Sequence, residues 1–394
     1  MSQKKYNIVV DSFLCIFIFA IIGISLIKTI FFLKNVNEYE NRKANRILKF
    51  SFQNFYDSNF QNSMESALAD QILFTTTMKK NYNLAAHSII NKFYENLEKN
   101  LLKGKYINLN GIYRIGGTDN LVYKPYKLNN YNELNKKIDN LNTIIKSHPE
   151  LKFYLYYIEK DTDINIETNE KLGASEYITQ RINETNIISG IYKINDFEEF
   201  KRNFYKTDHH WNYDGSYKAY KEILAMILPG EKCIEPSGTL ELKSRLIGSK
   251  AYASGLNDMF SEEFIANLFE IPSHRTLING KDGEYGNEEK YRENLEMQIS
   301  YAMFYGDDNG EVEFDFYNPD RENLLIIGES YDNAIIKLLA SHFNKTYDID
   351  LRSYEQDTGE KFKFDEYVKQ KSIDKVLFIG NIDYYMLDTF LVEE

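Results

Sequence analysis

The last third of the chain most constrains its fold. Two short apolar runs, Asn323–Ile327 (NLLII) and Val376–Ile379 (VLFI), and between them a further candidate strand, Tyr347–Leu351 (YDIDL), are separated by stretches with helical spacing. Ala334, Ile335, Leu338, Leu339 and His342 form one helical stripe, and residues 362–371 read as a second helix. Strands that alternate with helices imply an α/β fold with a parallel sheet and right-handed crossovers. Open sheets of this kind place active sites beyond the carboxyl ends of their strands. Ser330, Arg352 and Asn381 each follow a strand at that end, so the pattern alone draws them towards one crevice.

Upstream, residues 61–103 read mainly as helix, with Met64, Leu68, Ile72, Ile89, Ile90, Phe93, Leu97 and Leu101 at helical spacings. Asn108–Tyr123 reads as short strands around a Gly116-Gly117 turn, and Asn132–Lys146 as a helix leading into a buried strand, Phe153–Ile158. Residues 214–227 predict a helix capped by Asp214, with Tyr217, Tyr220, Leu224 and Ile227 on one face. The polar segment 280–300 reads as an exposed insertion.

At the N-terminus no charge interrupts Ser12–Ile27, and the apolar run continues past Lys28 to Leu33. As a helix, residues 12–33 would span about 33 Å, enough to cross a bilayer core. No small-x-small cleavage site follows, so the run predicts an uncleaved single-pass anchor rather than a signal peptide. The division is then an anchor over 1–34, a linker over 35–60 and a catalytic domain over 61–394. The basic residues after the run mildly oppose an external C-terminal part, although long domains translocate largely regardless of nearby charge. The net charge of −12 argues against nucleic acid, whose phosphates need clustered Lys and Arg. Of the two cysteines, Cys15 lies in the apolar run and Cys233 stands alone in the remainder, so no disulfide or zinc spacing arises.

Chemistry concentrates in Thr207-Asp208-His209-His210-Trp211-Asn212, which holds two of the six histidines and the one tryptophan. In an extended segment residues 208 and 210 point to the same side. Asp208 can then fix the tautomer of His210, whose other nitrogen can take a proton from a nucleophile. Asp-x-His can also supply two metal ligands, with a third from elsewhere, or simply pack. Ser330, at a strand-to-helix turn, can be a nucleophile beside free helix-start N–H groups, or an N-cap.

Together these segments carry a resemblance. TDHHWNYDGSYKAY, followed about 120 residues later by LLIIGESYDNAIIKLLASHF and YDIDLRSY, resembles the DHHW family of SGNH-hydrolase-like proteins, as does RLIGSKAYASG at 245–255. That family is similar to the proteins that O-acetylate alginate in the periplasm. The resemblance spans roughly residues 50–390. It implies a three-layer α/β/α domain after the membrane helix, with Ser330 as nucleophile, His210 as base and Asp208 as the acid of a triad. It further implies an extracytoplasmic domain, no metal or organic cofactor, a polysaccharide substrate, and as partners a membrane-bound O-acyltransferase and a polysaccharide synthase. An acetyl esterase with the same triad and a non-catalytic polysaccharide-binding scaffold are the alternatives. Two departures stand out. The Ser segment follows the Asp-His segment, unlike ordinary SGNH enzymes, so their oxyanion blocks do not carry over by order. Glu329 stands where relatives commonly have Asp. Further candidates for substrate or oxyanion contact are Tyr331, Arg352, Asn381, Gly248 and Trp211. Arg352 can instead form a structural salt bridge, Asn381 can be a turn residue, Gly248-Ser249 can supply backbone donors or a turn, Trp211 can pack, and His209 can bind substrate or pack and orient the loop.

Overall fold

The computed structural model of the chain describes residues 44–71, 102–127, 131–182 and 186–387, with scattered positions among 15–43 and 77–85. Contacts divide the chain into two compact units, 1–101 with 251–259, and 102–250 with 260–394. In the first unit, helices span Phe52–Tyr56 and Asn59–Gln71, the former capped by Ser51, whose Oγ accepts from Asn54 N at 3.1 Å. Most of the expected membrane run 12–33, and most of the helix expected beyond residue 71, lie outside the described residues. Among the described residues no helix is long and apolar enough to cross a membrane.

The second unit is built on an eight-stranded sheet. Its strands are β1 (Lys152–Ile158), β2 (Ile187–Tyr192), β3 (Arg275–Ile278), β4 (Lys281–Asp282), β5 (Glu311–Asp315), β6 (Leu324–Ile327), β7 (Lys345–Ile349) and β8 (Lys375–Gly380), in the order β4-β3-β5-β7-β6-β8-β1-β2. The five strands from β7 to β2 run parallel, with Ile326 opposite Leu377 on one side and Asp348 on the other. β5, β3 and β4 extend the sheet as an antiparallel edge.

Alternation along the strands explains the layers, because successive side chains point to opposite faces. Phe153, Leu155, Tyr157, Leu325, Ile327, Val376 and Phe378 face one core, shared with helix α1 (Asn132–Ser147) through Leu134, Ile138, Leu141 and Ile145. Tyr154, Tyr156, Ile158, Leu324, Ile326, Leu377 and Ile379 face the other, shared with helix α2 (Tyr213–Ile227) through Ala219, Tyr220, Ile223, Leu224 and Ile227. Helices on both faces hide every side chain of β6 and β8, which is why those runs read as unbroken apolar stretches.

Three expectations need correction. The cap of α2 is Asn212, whose Oδ1 accepts from Asp214 N and Gly215 N at 3.0 Å each. Asp214 occupies the first turn, where its charge favours the helix dipole instead. Segment 280–300 is no exposed insertion. It contains β4 and helix α3 (Glu288–Glu293), and it buries Tyr285 and Tyr291, 6% and 0% exposed. Its charges stay outside while its aromatic rings turn in, so average polarity concealed its place in the core. The third concerns Ser330, which does not open an α-helix: a short 3₁₀ turn at Asp332–Ala334 precedes the helix at Ile336–Ala340.

Candidate active site

Ser330 lies just past the carboxyl end of β6, after Gly328-Glu329. The turn is tight. A Cβ on Gly328 would fall 1.7 Å from Asp332 Oδ2 and 2.9 Å from Ile379 Cγ2, so no larger residue fits without rearrangement. Gly328 N donates to Ile349 O at 3.1 Å and Asp332 N to Glu329 O at 2.9 Å, which fixes the Ser330 backbone from both sides. The N–H groups of Ser330 and Tyr331 donate to no group among the described residues.

The Asp208–His210 segment is the tip of a narrow loop. Phe204 and Trp211 pair across its base, Tyr205 N donates to His210 O at 3.1 Å, and Asn212 N donates to Asn203 O at 2.9 Å. Two groups clamp the tip. From one side the buried Glu262 carboxylate accepts from Lys206 N at 2.8 Å and from Thr207 N and Oγ1 at 2.7 Å each. From the other, three successive amides donate: Gly248 N to Thr207 Oγ1 at 3.1 Å, Ser249 N to Asp208 Oδ2 at 2.7 Å, and Lys250 N to Thr207 O at 3.0 Å. A Cβ on Gly248 would come within 2.4 Å of the Thr207 carbonyl, so glycine is what permits this approach. The Lys250 side chain is fully buried, with Nζ 2.6 Å from Asp161 Oδ2, anchoring the second clamp.

The clamped loop meets the Ser330 turn. His210 Nδ1 lies 2.6 Å from Asp208 Oδ1, and His210 Nε2 lies 2.8 Å from Ser330 Oγ. Burial alone would raise the Asp208 pKa, but the imidazoles of His210 and His209 and the Ser249 N–H outweigh it and hold the group well below the usual carboxylate range. A carboxylate only accepts, so the proton sits on His210 Nδ1 and leaves Nε2 to accept from Ser330 Oγ–H. The His210 ring is held between Tyr301, stacked at 3.8 Å and 2°, and His209, at 3.8 Å and 37°. All three members are nearly buried, with Ser330 7%, His210 6% and Asp208 5% exposed. Low dielectric strengthens such charge-bearing hydrogen bonds. The ligand atoms of Asp208, His209 and His210 also lie within 4.8 Å of one another, close enough for one ion. Both nitrogens of His210 are already engaged, so coordination there would break the bond to Asp208 or the bond to Ser330.

The remaining sequence candidates are committed elsewhere. Trp211 is fully buried against Tyr192 and Tyr331, and packs the loop base instead of reaching a ligand. Tyr331 is also buried, its hydroxyl donating to His209 O at 2.5 Å. Gly248 N is spent on Thr207, so it is a clamp and no oxyanion donor. Asn381 directs N and Nδ2 to Glu329 Oε1 at 2.9 and 2.6 Å, steadying the residue before Ser330. Burial raises the Glu329 pKa, with the Asn381 N–H partly offsetting it. Arg352 forks onto Asp350 at 2.9 and 2.6 Å and reaches Asp308 at 3.2 Å, the salt-bridge reading. Sequence reasoning missed Glu262 and Tyr301. Neither carries a local signal, since each acts across a long separation. Gly248-Ser249, a candidate pair of backbone donors, does donate, to Thr207 Oγ1 and Asp208 Oδ2.

The sequence matches no known family profile and no curated protein. Solved structures do share the fold. The chain is similar to a DHHW family protein from Eubacterium siraeum, with a TM-score of 0.56 and 16% identity, over 72% of this chain and 95% of that one. It is similar as well to Bacillus cereus PatB1 carrying a sulfonyl adduct, with a TM-score of 0.55 and 19% identity, over 70% of this chain and 97% of that one. The likeness to DHHW proteins read from the two motifs thus extends to the fold.

Proposed function

We propose that this chain is an extracytoplasmic O-acetyltransferase that carries an acetyl group on Ser330 and passes it to a hydroxyl of a polysaccharide. The observation that carries the reading is the continuous path Ser330 Oγ, His210 Nε2, His210 Nδ1, Asp208 Oδ1, with steps of 2.8 Å and 2.6 Å between residues. Ser330 Oγ attacks the carbonyl carbon of an acetyl donor while its proton passes to His210 Nε2. Asp208 stabilises the imidazolium, and the free N–H groups of Ser330 and Tyr331 can receive the oxyanion. Collapse expels the donor's leaving group, which takes the proton from His210, and leaves acetyl-Ser330. An acceptor hydroxyl then attacks that ester and gives its proton to His210, which passes it to Ser330 Oγ as that oxygen leaves, restoring the starting site.

The acetyl group and the polysaccharide rest on the DHHW resemblance, supported by the shared fold. The same reading supplies a membrane anchor at 12–33, a membrane-bound O-acyltransferase that delivers acetyl groups, and a nearby polysaccharide synthase. The test uses the full-length protein in detergent with an activated acetyl ester, a soluble oligosaccharide, and an aryl sulfonyl fluoride that traps activated serines. Ester cleavage, acetylated sugar and a sulfonyl adduct at Ser330 are expected, and all three should vanish in Ser330→Ala. Rapid removal of acetyl groups from an acetylated polymer, without transfer to any sugar, would replace the transferase with an esterase. Polysaccharide binding with neither activity would leave a scaffold.

A further inference from the structure

Residues 47–60 of the smaller unit turn large apolar side chains outward. Ile47, Leu48, Phe50, Phe52, Phe55 and Tyr56 all stand exposed, Phe52 by 73% and Tyr56 by 79%, and the helix over Phe52–Tyr56 buries no residue. In the larger unit the exposed large apolar side chains are Tyr126, Ile188, Met303 and Tyr317, one per segment. Such single exposures are ordinary, whereas a contiguous patch marks a contact surface. The patch at 47–60 is contiguous. The Phe50 ring lies 5.8 Å from that of Phe52, 6.1 Å from Phe55 and 5.4 Å from Phe60, and Phe55 lies 6.2 Å from Tyr56.

The backbone beneath the rings is fixed from within. Asn54 N donates to Ser51 Oγ at 3.1 Å and Asn54 Nδ2 to Lys49 O at 3.3 Å. Gln61 Nε2 donates to Phe55 O and Leu48 N to Ser63 Oγ, each at 3.1 Å. These polar groups serve the segment itself, and the aromatic rings remain on the outside.

Charge identifies what covers the rings. Between Glu40 and Asp57 the chain carries Arg42, Lys43, Arg46 and Lys49 and no acidic residue, in a protein of net charge −12. The apolar run 12–33 ends shortly before these basic residues. At roughly 3.5 Å per extended residue, Phe50 stays within about 60 Å of the end of that run. Aromatic rings settle at the level of lipid headgroups, and each Lys or Arg beside them adds attraction to anionic lipid.

We propose that residues 42–60 lie on the membrane surface, with the Phe50 ring cluster seated between the headgroups and acyl chains of an anionic bilayer. The contact goes beyond acetyl transfer and rests on the proposed anchor only for bringing a bilayer within reach. The stretch that reads as a linker is then a second attachment to the membrane.

The test uses full-length protein in phosphatidylcholine vesicles with and without phosphatidylglycerol, made with ordinary or brominated acyl chains. Bromine quenches tryptophan only at contact, and native Trp211 is fully buried, so Phe52→Trp adds the reporter. Its ester cleavage in detergent should match that of the native protein, and Tyr56→Trp takes its place if Phe52→Trp folds poorly. The reporter's emission should be blue-shifted and quenched by brominated lipid, more strongly with phosphatidylglycerol. Replacing Arg42, Lys43, Arg46 and Lys49 together by Gln should remove the increment due to phosphatidylglycerol. Emission that stays red-shifted and unquenched would overturn the proposal. So would a blue shift without quenching that grows with the protein-to-lipid ratio, the mark of a second copy on the patch. Alkaline carbonate extraction of the same vesicles reads the anchor separately. Extraction with quenching before it overturns the anchor alone, and retention without quenching overturns the surface contact alone.

Discussion

Replacing Asp208 by Asn isolates the hydrogen bond on which the site depends. The carboxylate takes three donors, His210 N and Nδ1 on Oδ1 and Ser249 N on Oδ2. An amide offers one oxygen. If that oxygen turns to Ser249, the NH₂ faces His210 Nδ1, which must give up its proton. Nε2 then carries the proton and meets Ser330 Oγ as a donor, so the base is gone. If the oxygen turns to His210, the NH₂ opposes Ser249 N, and a buried donor left unpaired costs about 1–3 kcal/mol. Wrong-tautomer variants of such triads lose on the order of 10⁴ in kcat, or roughly 5 kcal/mol of barrier. Cleavage of an activated acetyl ester, followed from burst to steady state, reads the loss directly. A variant that kept more than about a tenth of native kcat would refute the assignment of Asp208. Stability gives a second readout. Because the folded-state pKa of Asp208 is depressed, its contribution is complete above the unfolded carboxylate value of about 4 and is lost as pH falls through the depressed value. The difference in unfolding free energy between native protein and Asp208→Asn should therefore be constant at neutral pH and shrink below about pH 4.

Other outcomes follow from the same geometry. Glu262→Gln keeps an acceptor for the two Thr207 donors but sets an NH₂ against Lys206 N, and should cost about 1–3 kcal/mol in denaturant unfolding while lowering kcat more than it raises KM. Gly248→Ala drives a Cβ towards the Thr207 carbonyl and displaces Asp208, and should lower ester cleavage on the order of 10²-fold at little cost in KM. Protease added to intact cells should digest the C-terminal part of the chain, and full protection beside a digested external control would contradict external placement.

The α/β core was legible because hydrophobic period is a local property. β6 and β8 showed as short apolar runs, β7 as a candidate strand between them, and α1 and α2 as periodic stripes. The antiparallel edge was not, since β3 and β5 bury only alternate residues and the segment between them carries many charges. At the site, residue types and spacing pointed to Asp208, His210 and Ser330. What holds them was hidden. Glu262 reaches Thr207 across 55 positions and Tyr301, at the start of a short helix over Tyr301–Tyr305, stacks on His210 in its loop, so each depends on tertiary placement with no pattern of its own. Asn381 and Gly248 were noticed, but their donors serve Glu329 and Thr207, a commitment visible only once hydrogen bonds are counted.

The measurement that bears most directly on the central claim is intact-protein and peptide mass spectrometry after brief exposure to an activated acetyl ester. With His210 Nε2 placed 2.8 Å from Ser330 Oγ, a single acetyl group should appear on the peptide containing Ser330, and should leave when a sugar acceptor is added. It should be missing from Ser330→Ala and from His210→Ala. An acetyl group found on another residue, or turnover of the ester undiminished in Ser330→Ala, would contradict the account.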